Sequence, residues 1–454
     1  MILERISVAD IARFCGKQTT LNGFVNRVSL DSRDVDGNTL FIAIKGERFD
    51  ANDFVEDVLE KGVKTVVCSR YDGNDERVIV VEDTGKALLD IAKGYRESFD
   101  IPFIALTGSV GKTTTKGMVF SVVNKKYNAM RTEGNLNNDI GVPKTLFTLE
   151  KNTQAAVIEM GMNHFGEISK LTRAVKPDIG IITNVGTAHI ENLGSREGIL
   201  KAKCEILEGM KKGSPLIING DNDMLATLDL PDYEVLRFGI DANNLYMKAE
   251  NIKAYAEGSY FTAVCENEKT EVFVPAAGLH NVYNALCAMC VGKKLGYTLT
   301  EAAEGVRDFA PEGMRQKVEK VKEYTFIEDC YNANPDSMKA ALSTLSTLKT
   351  TRSIAVLGDM LELGSYSEKA HRETGAFAAE IGTDIVLAFG KDAYFIADEA
   401  GKKGVKDARF FEDKKELKEY LSDILKDGDT VLFKGSRSMK TEEIFLELYR
   451  EWNI

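Results

Sequence analysis

A short apolar strand that turns through glycines directly into a helix is the feature that most restricts the fold of this chain. The segment is FIALTGSVGKTTTKGMVF, which begins at Phe103. Further apolar strands, each followed by a helical stretch, recur as AAVIEMG, DIGIITNVG and PLIING. Short unbroken apolar strands that alternate with helices are typical of a parallel sheet covered on both faces. The sequence therefore predicts an α/β protein.

The order of strand-like and helix-like segments divides the 454 residues into three parts, since a chain of this length exceeds one ordinary core. Residues 1–100 are predicted to form a mixed α/β domain. Residues 101–312 hold the alternating units, an expected antiparallel excursion at 244–274 and two closing helices. Residues 313–454 repeat the alternation and predict a Rossmann-like domain. No G-x-G-x-x-G follows a strand there, so nothing indicates a dinucleotide.

Composition and charge exclude several classes of function. A net charge of −12 argues against a nucleic-acid surface, because phosphate backbones require clustered Lys and Arg side chains. No stretch stays apolar for the roughly 18 residues of a membrane span. The opening MILERISVADIARF carries charges inside an apolar pattern, which predicts an amphipathic helix rather than a signal peptide. We therefore expect a cytoplasmic protein that binds neither nucleic acid nor membrane.

The seven cysteines are expected to be reduced thiols, because their number is odd and they are scattered along the chain. Cys287 and Cys290 form a C-x-x-C, but they lie in a strongly helical apolar stretch. No second C-x-x-C exists in the sequence to complete a zinc site. Core packing is therefore predicted for this pair.

The turn after the first of those strands has the composition of a phosphate-binding loop. It consists of Gly108, Ser109, Val110, Gly111, Lys112, Thr113 and Thr114. Glycines let backbone N–H groups approach phosphate oxygens, the lysine reaches the terminal phosphates, and the Thr113 hydroxyl can bind magnesium. The usual G-x-x-x-x-G-K-[ST] pattern has glycine where this chain has Leu106, so the loop is a shortened form. No N-K-x-D segment for guanine is present, which favours ATP.

Two neighbouring strands end in candidate metal ligands. Glu159 ends AAVIEMG, where a metal-holding acid is expected beside a phosphate loop. His189 lies just past the strand DIGIITNVG, at the end of the sheet where α/β proteins place their chemistry. An acid after an apolar strand and a lone histidine are both common as structural residues, so both interpretations stay open.

Lys203 falls on the apolar face of a predicted helix, in SREGILKAKCEILEGM. It follows Ile199 by four residues and precedes Ile206 by three, whereas Lys201 fits that face less well. A lysine in apolar surroundings is biased toward its neutral amine, which can react with carbon dioxide to give an anionic carbamate. The alternative is a lysine whose stem is buried and whose charge reaches solvent.

Eleven segments spread over nearly the whole chain closely resemble the Mur ligase family, the ATP-dependent amide ligases of peptidoglycan synthesis. They are DSRDVDGNTLFIAIKGERFDANDFV, TGSVGKTTT, GNLNNDIGVP, IEMGM, TNVGTAHIENLG, AKCEI, GLHNVYNAL, GMRQ, DCYNANPDSM, LGDMLELG and FKGSRSMKTEEI. Together they are far more specific than the phosphate loop alone. The last three look most like the members that add D-alanyl-D-alanine to UDP-N-acetylmuramoyl-tripeptide.

The resemblance implies a role for each matching residue. It implies an N-terminal domain that binds the UDP substrate, a central ATP-binding domain and a C-terminal domain that assists. The catalytic residues that it implies are Lys112, Glu159, His189 and Lys203. It also implies two magnesium ions, whose ligands are Thr113, Glu159, His189 and a carbamylated Lys203. ATP contacts are implied for Asn281, Arg315 and Asp329, and substrate contacts for Ser32, Arg33, Asn135, Asn137 and Asn138. The segment Asp50-Ala51-Asn52 departs from the family's more usual Asp-Gly-His.

Three rival interpretations belong beside this one. The N-terminal Asp-Ser-Arg segment argues against a folylpolyglutamate-type ligase. The chain also lacks a D-[ND]-P-[RN] segment, which argues against the family member that adds the third amino acid. A catalytically silent nucleotide-binding protein is disfavoured by a joint set of five residues, which are Lys112, Thr113, Glu159, His189 and Lys203. We expect a monomer whose partners are the two small-molecule substrates.

Overall fold

Three sheets, one in each of three α/β domains, form the framework of the molecule. The computed structural model describes residues 1–46, 49–311, 313 and 316–452. The three sheets confirm the predicted fold class, which is α/β with three domains.

The first domain contains a five-stranded sheet within the described residues, in the order β1-β2-β3-β4-β5. β1 is antiparallel to β2, and the remaining neighbours are parallel. The strands are β1 (Ile2–Ser7), β2 (Phe24–Ser29), β3 (Thr39–Ile42), β4 (Thr65–Cys68) and β5 (Val78–Val80). The helices are α1 (Val8–Phe14), α2 (Val55–Glu60) and α3 (Thr84–Arg96), with a 3-10 turn at Ala51–Phe54.

The prediction of one amphipathic helix at the N-terminus is wrong for its first half, because residues 2–7 form β1. Leu3 and Ile6 are buried three residues apart, a spacing that imitates a helix. The register of β1 against β2 shifts between Ile2 and Ile6. This irregular pairing breaks the regular two-residue alternation along β1, which explains the misleading pattern.

The central domain contains a nine-stranded sheet within the described residues, in the order β14-β13-β12-β11-β10-β9-β6-β8-β7. Its strands are β6 (Phe103–Thr107), β7 (Ala129–Arg131), β8 (Ala155–Glu159), β9 (Ile179–Ile182), β10 (Pro215–Asn219), β11 (Glu234–Gly239), β12 (Met247–Tyr255), β13 (Gly258–Cys265) and β14 (Glu268–Val274). β12, β13 and β14 pair antiparallel, as predicted for residues 244–274. β6, β8 and β9 are parallel neighbours, so their carboxyl ends lie at one edge.

Helices cover both faces of the central sheet. They are α4 (Lys112–Val123), α5 (Gly141–Leu146), α6 (Glu167–Val175), α7 (Ile190–Leu193), α8 (Arg196–Cys204), α9 (Asp223–Ala226), α10 (Leu279–Lys294) and α11 (Leu299–Arg307), with a 3-10 turn at Glu205–Gly209. Cys287 and Cys290 are fully buried in α10 with free thiols, which confirms that this pair packs in the core.

The C-terminal domain contains a six-stranded sheet within the described residues, in the order β15-β16-β20-β17-β18-β19. The strands are β15 (Lys317–Val321), β16 (Tyr324–Asp329), β17 (Ser353–Gly358), β18 (Ile385–Phe389), β19 (Asp407–Phe411) and β20 (Thr430–Lys434). The helices are α12 (Pro335–Leu348), α13 (Ser367–Glu380), α14 (Tyr394–Lys402), α15 (Lys414–Ile424) and α16 (Glu442–Trp452), with 3-10 turns at Gly364–Tyr366 and Arg437–Met439. β15, an edge strand of sequence KVEKV, was not predicted because its charges hide the pattern.

In the part of the chain that the structure describes, no helix is both long enough and apolar enough to cross a bilayer.

A buried hydroxyl joins the first domain to the central one. The Tyr95 hydroxyl on α3 donates to the Leu149 carbonyl at 2.6 Å and accepts the Glu4 N–H of β1 at 2.9 Å. Its ring packs against Phe99 and Phe147, within an apolar core that spans both domains. Burial raises the pKa of Tyr95 to about 12, so the group remains a donor at neutral pH.

We expect Tyr95→Phe to lower the free energy of unfolding by about 1–3 kcal/mol, because it leaves a buried carbonyl and a partly buried N–H without their partner. Urea denaturation followed by circular dichroism measures this. Tyr394→Phe is the control, since that ring is half exposed on α14. Equal midpoints for the two variants would contradict the role given to the Tyr95 hydroxyl.

Candidate active site

The phosphate loop leaves β6 with no room for a side chain at its first glycine. A Cβ at Gly108 would overlap the Thr183 hydroxyl, and Gly111 has the left-handed φ of +78°. Such a φ favours glycine because other residues meet steric strain there. The glycines predicted from the sequence are therefore required by the shape of the loop.

Asn184, at the end of β9, holds the loop in this shape. Its side-chain oxygen accepts the N–H groups of Ser109 and Val110 at 3.0 and 2.9 Å, and its amide donates to the Val110 carbonyl at 3.2 Å. The Ser109 hydroxyl in turn accepts the Gly186 N–H at 2.9 Å. Sequence analysis assigned no role to Asn184, because its role depends on two strands that meet only in the folded structure.

The start of α4 faces the space beyond the loop. Gly111 is the residue that precedes the helix, and no side chain caps it. The first N–H groups of an α-helix lack intrahelical partners and carry partial positive charge. The Lys112 ammonium donates to the Gly108 carbonyl at 2.8 Å. This geometry suits an anionic phosphate.

Glu159, at the end of β8, lies next to the loop as predicted. Its carboxylate accepts the Thr113 hydroxyl at 3.1 Å and the Asn137 amide at 2.9 Å. It also lies 3.2 Å from the Lys116 ammonium, and both side chains are at most 2% exposed. The Lys116 ammonium donates to the Gly134 carbonyl at 3.0 Å. Sequence analysis missed Lys116, although it follows Lys112 by one helical turn.

His189 lies just before α7, with a left-handed φ of +62°. Its Nδ1 atom is 3.0 Å from a carboxylate oxygen of Glu362, a residue of the C-terminal domain, without the alignment of a hydrogen bond. Burial lowers the pKa of the imidazole below its usual value, and the charge of Lys112 lowers it further. A neutral imidazole is the form that binds metal ions.

Lys203 is buried on α8 at 1% exposure, whereas Lys201 is exposed, as the helical spacing predicted. Burial lowers the pKa of its ammonium well below the usual value, and the nearby Lys112 charge adds to this. Within the described residues no acid pairs with Lys203. The interpretation as a lysine that reaches solvent is therefore wrong, and a neutral amine is favoured.

A cleft of about 580 Å³ connects the phosphate loop to the C-terminal domain. From the C-terminal side, Asp329, Asn332, Asp336 and Lys434 are among its lining residues. The buried Lys434 ammonium donates to the Asp329 carboxylate at 2.6 Å and to the Asn332 carbonyl at 3.0 Å. Asp336 crosses to the central domain and accepts the Thr187 N–H at 3.0 Å. Two domains therefore form one cleft.

Most of the remaining predicted residues also line this cleft. Asn281 lies on α10, where its amide donates to the Ala277 carbonyl at 2.7 Å and its oxygen accepts the Asn284 amide at 3.1 Å. Asn135, Asn137 and Asn138 line the cleft from the segment before α5. Asn138 also accepts the Gly141 N–H at 2.8 Å, which gives it a structural role.

The predicted N-terminal residues lie elsewhere. Ser32 and Arg33 are not among the residues that line the cleft; Arg33 pairs with Asp31 at 2.7 Å. The buried Asn52 accepts the Ser69 N–H at 2.7 Å, so it supports the first domain from inside. Arg315 lies outside the described residues.

The strand, the glycine loop, the helix and the acid that ends the neighbouring strand define a P-loop nucleotide-binding enzyme. Three family models match the chain: the Mur ligase middle domain at residues 106–292, the Mur ligase glutamate ligase domain at 314–437 and the Mur ligase family catalytic domain at 25–96. The chain belongs to the Mur ligase family and is an ATP-dependent ligase.

Relatives and solved structures agree with this assignment. The chain is 39% identical to the UDP-N-acetylmuramoyl-tripeptide–D-alanyl-D-alanine ligase of Bacillus subtilis (strain 168), over 95% of this chain and 94% of that protein. It is similar to MurF from Acinetobacter baumannii, with a TM-score of 0.91, 31% identity and coverage of 99% and 100%. It is also similar to MurF ligase from Thermotoga maritima in complex with ADP, with a TM-score of 0.85, 27% identity and coverage of 94% and 97%.

We expect Lys116→Met to lower the free energy of unfolding by about 3–5 kcal/mol, because it leaves the buried Glu159 carboxylate without its cation. Lys125→Met is the control. Its 2.8 Å pair with Asp308 is partly exposed, and such pairs contribute at most about 1 kcal/mol. Urea unfolding of both variants measures the two changes in free energy of unfolding. Equal changes would mean that the buried Lys116–Glu159 pair stabilises the fold no more than the partly exposed pair does.

Proposed function

We propose that the chain joins D-alanyl-D-alanine to UDP-N-acetylmuramoyl-tripeptide, with ATP converted to ADP and phosphate. The observation that carries this proposal is the cleft, in which the phosphate loop and Glu159 meet Asp329 and Lys434 of the C-terminal domain. The two substrates are those from which the similar ligases take their names. In this proposal residues 1–100 bind the UDP substrate, 101–312 bind ATP, and 313–454 complete the site.

The proposed reaction has two steps. A carboxylate oxygen of the tripeptide attacks the γ-phosphorus of ATP, so that an acyl phosphate forms and ADP leaves. The dipeptide amine then attacks the acyl carbon, phosphate leaves and the amine loses a proton. Neither step needs a protein nucleophile, so catalysis consists of positioning and charge stabilisation.

Residues of the loop provide the positive charge for the first step. Lys112 and the N–H groups at the start of α4 hold the terminal phosphates. Asn281 and Asp329 line the same cleft and are assigned to the nucleotide. Asn135 and Asn137 are assigned to the reacting carboxylate, while Ser32 and Arg33 are assigned to the UDP end of the substrate.

The residues around Glu159 fit a magnesium ion. The Thr113 hydroxyl and the Glu159 carboxylate lie 3.1 Å apart, and oxygen atoms of this kind, together with nucleotide phosphates, are the ligands that magnesium prefers. When bound, magnesium would neutralise charge on the transferring phosphate. Thr113 and Glu159 would hold one ion, and His189 with a carbamate on Lys203 would hold a second.

Phosphate release with and without D-alanyl-D-alanine tests the proposed function against its rivals. We expect release that requires both the UDP-muramoyl tripeptide and the dipeptide. A requirement for a different amine would indicate another Mur-type or folylpolyglutamate-type ligase. No release with any amine would indicate a silent nucleotide-binding protein. Light scattering of the purified chain tests the expected monomer.

We expect Lys112→Ala to abolish ligation, because it removes the mobile cation that the loop offers to the transferring phosphate. Circular dichroism and the melting temperature should stay close to those of the wild type, since Lys112 lies on the loop rather than in a core. Wild-type turnover in a folded Lys112→Ala protein would overturn the role of the loop.

We expect Lys203→Ala to lower turnover by orders of magnitude, as for loss of other preorganised electrostatic groups. The neutral amine adds to carbon dioxide, forming an N–C bond and releasing one proton, and the resulting carbamate supplies a negative ligand. Acetate or formate should restore part of the activity of Lys203→Ala, and Lys203→Arg should remain inactive. An active Lys203→Arg enzyme, or no rescue by either acid, would contradict the carbamate.

A further inference from the structure

The Glu159 carboxylate is surrounded by polar groups of the chain itself. Its Oε1 atom accepts the Asn137 amide at 2.9 Å, and its Oε2 atom accepts the Thr113 hydroxyl at 3.1 Å. The Lys116 ammonium lies 3.2 Å from the same Oε2 atom, and both side chains are at most 2% exposed. The carboxylate that fits a magnesium ion is therefore paired with a buried cation of the chain.

Lys116 is held in place from two directions. It belongs to α4, the helix that begins at the phosphate loop, and its ammonium also donates to the Gly134 carbonyl at 3.0 Å. Because the side chain is fully buried, the ammonium has no solvent toward which it could turn. Its positive charge therefore stays beside Glu159.

Stability alone does not explain this buried pair. Removing two opposite charges from water costs free energy that their attraction only partly returns, and apolar side chains of similar volume often stabilise a fold as well. The pair also adjoins the cleft, which Thr113, Asn137 and Glu159 all line. Like charges repel strongly where water is excluded, so the Lys116 ammonium opposes any second cation at Glu159.

We propose that Lys116 is an internal counter-ion, which prevents magnesium from binding to Glu159 until a nucleotide brings negative charge to the loop. This inference rests on the proposed function, in which Thr113 and Glu159 hold a magnesium ion beside the phosphates of ATP. In the free enzyme the ammonium neutralises the Glu159 carboxylate, so a divalent cation gains little there. The phosphates supply the negative charge that is lacking, and metal and nucleotide therefore bind together. Lys116 acts through Glu159 and is a positioning residue.

Manganese binding to the full-length protein, followed by electron paramagnetic resonance without nucleotide, tests the proposal. Manganese takes the same oxygen ligands as magnesium, and its signal requires no turnover. We expect Lys116→Met to bind manganese at least about tenfold more tightly than the wild type, because the repelling charge is gone. Lys125→Met is the matched control. It removes an equal charge from a partly exposed pair just beyond α4, and it should bind manganese as the wild type does.

The direction of the change separates this role from a purely structural one. If Lys116 only held Glu159 in place, Lys116→Met would bind manganese more weakly, and that result would overturn the proposal. Equal affinities of Lys116→Met and the wild type would also overturn it. The double variant Lys116→Met/Glu159→Gln should lose the gain, because it lacks the carboxylate. A gain that persists in the double variant would place the metal elsewhere and would contradict the role of Glu159.

Thermal melting gives a second readout, which remains usable if Lys116→Met folds poorly. A ligand that binds only the native state stabilises it, so manganese without nucleotide should raise the melting temperature of Lys116→Met more than that of the wild type. A Lys116→Met protein that folds only with manganese would meet the same expectation, and equal shifts in both proteins would overturn the proposal.

The wild type separates failure of this inference from failure of the proposed function. If it binds no manganese even with a non-hydrolysable ATP analogue, the proposed metal site fails and the inference fails with it. If it binds manganese together with the analogue, but Lys116→Met shows no gain without nucleotide, only the inference is removed.

Discussion

The bonds between Asn184 and the phosphate loop are the interaction on which the rest of the site depends. Two N–H groups of the loop donate to one side-chain oxygen from the adjacent strand. This fixes the direction in which α4 begins, and therefore where Lys112, Thr113 and Lys116 point. A rigid loop needs little rearrangement when phosphate binds, which is how preorganised sites stabilise developing charge.

Much of the fold could be predicted because its signals are local. Unbroken apolar strands and glycine turns identified the parallel sheets, and helical spacing separated the buried Lys203 from the exposed Lys201. The N-terminal strand was missed because its irregular register against β2 gives the buried Leu3 and Ile6 a helical spacing. The edge strand β15 was missed because it is largely charged.

The site could be predicted only where one segment carries its own chemistry. The phosphate loop is such a segment, and its glycines, lysine and threonine lie together as expected. Lys116 and Glu362 carry no local signal, because each is explained by a partner from a distant segment, Glu159 and His189 respectively. Periodicity reports burial, but it does not report which charged groups meet across a cleft.

The buried lysines have a consequence for the approach of substrates. Lys116 and Lys434 are each at most 1% exposed, while the whole chain has a net charge of −12. Cations that attract phosphate thus act at short range, whereas an anion in bulk solution first meets a predominantly negative field. Beyond the Debye length of about 8 Å at physiological ionic strength that field is screened. Nucleotide association should therefore become faster as salt is added, the reverse of electrostatic steering.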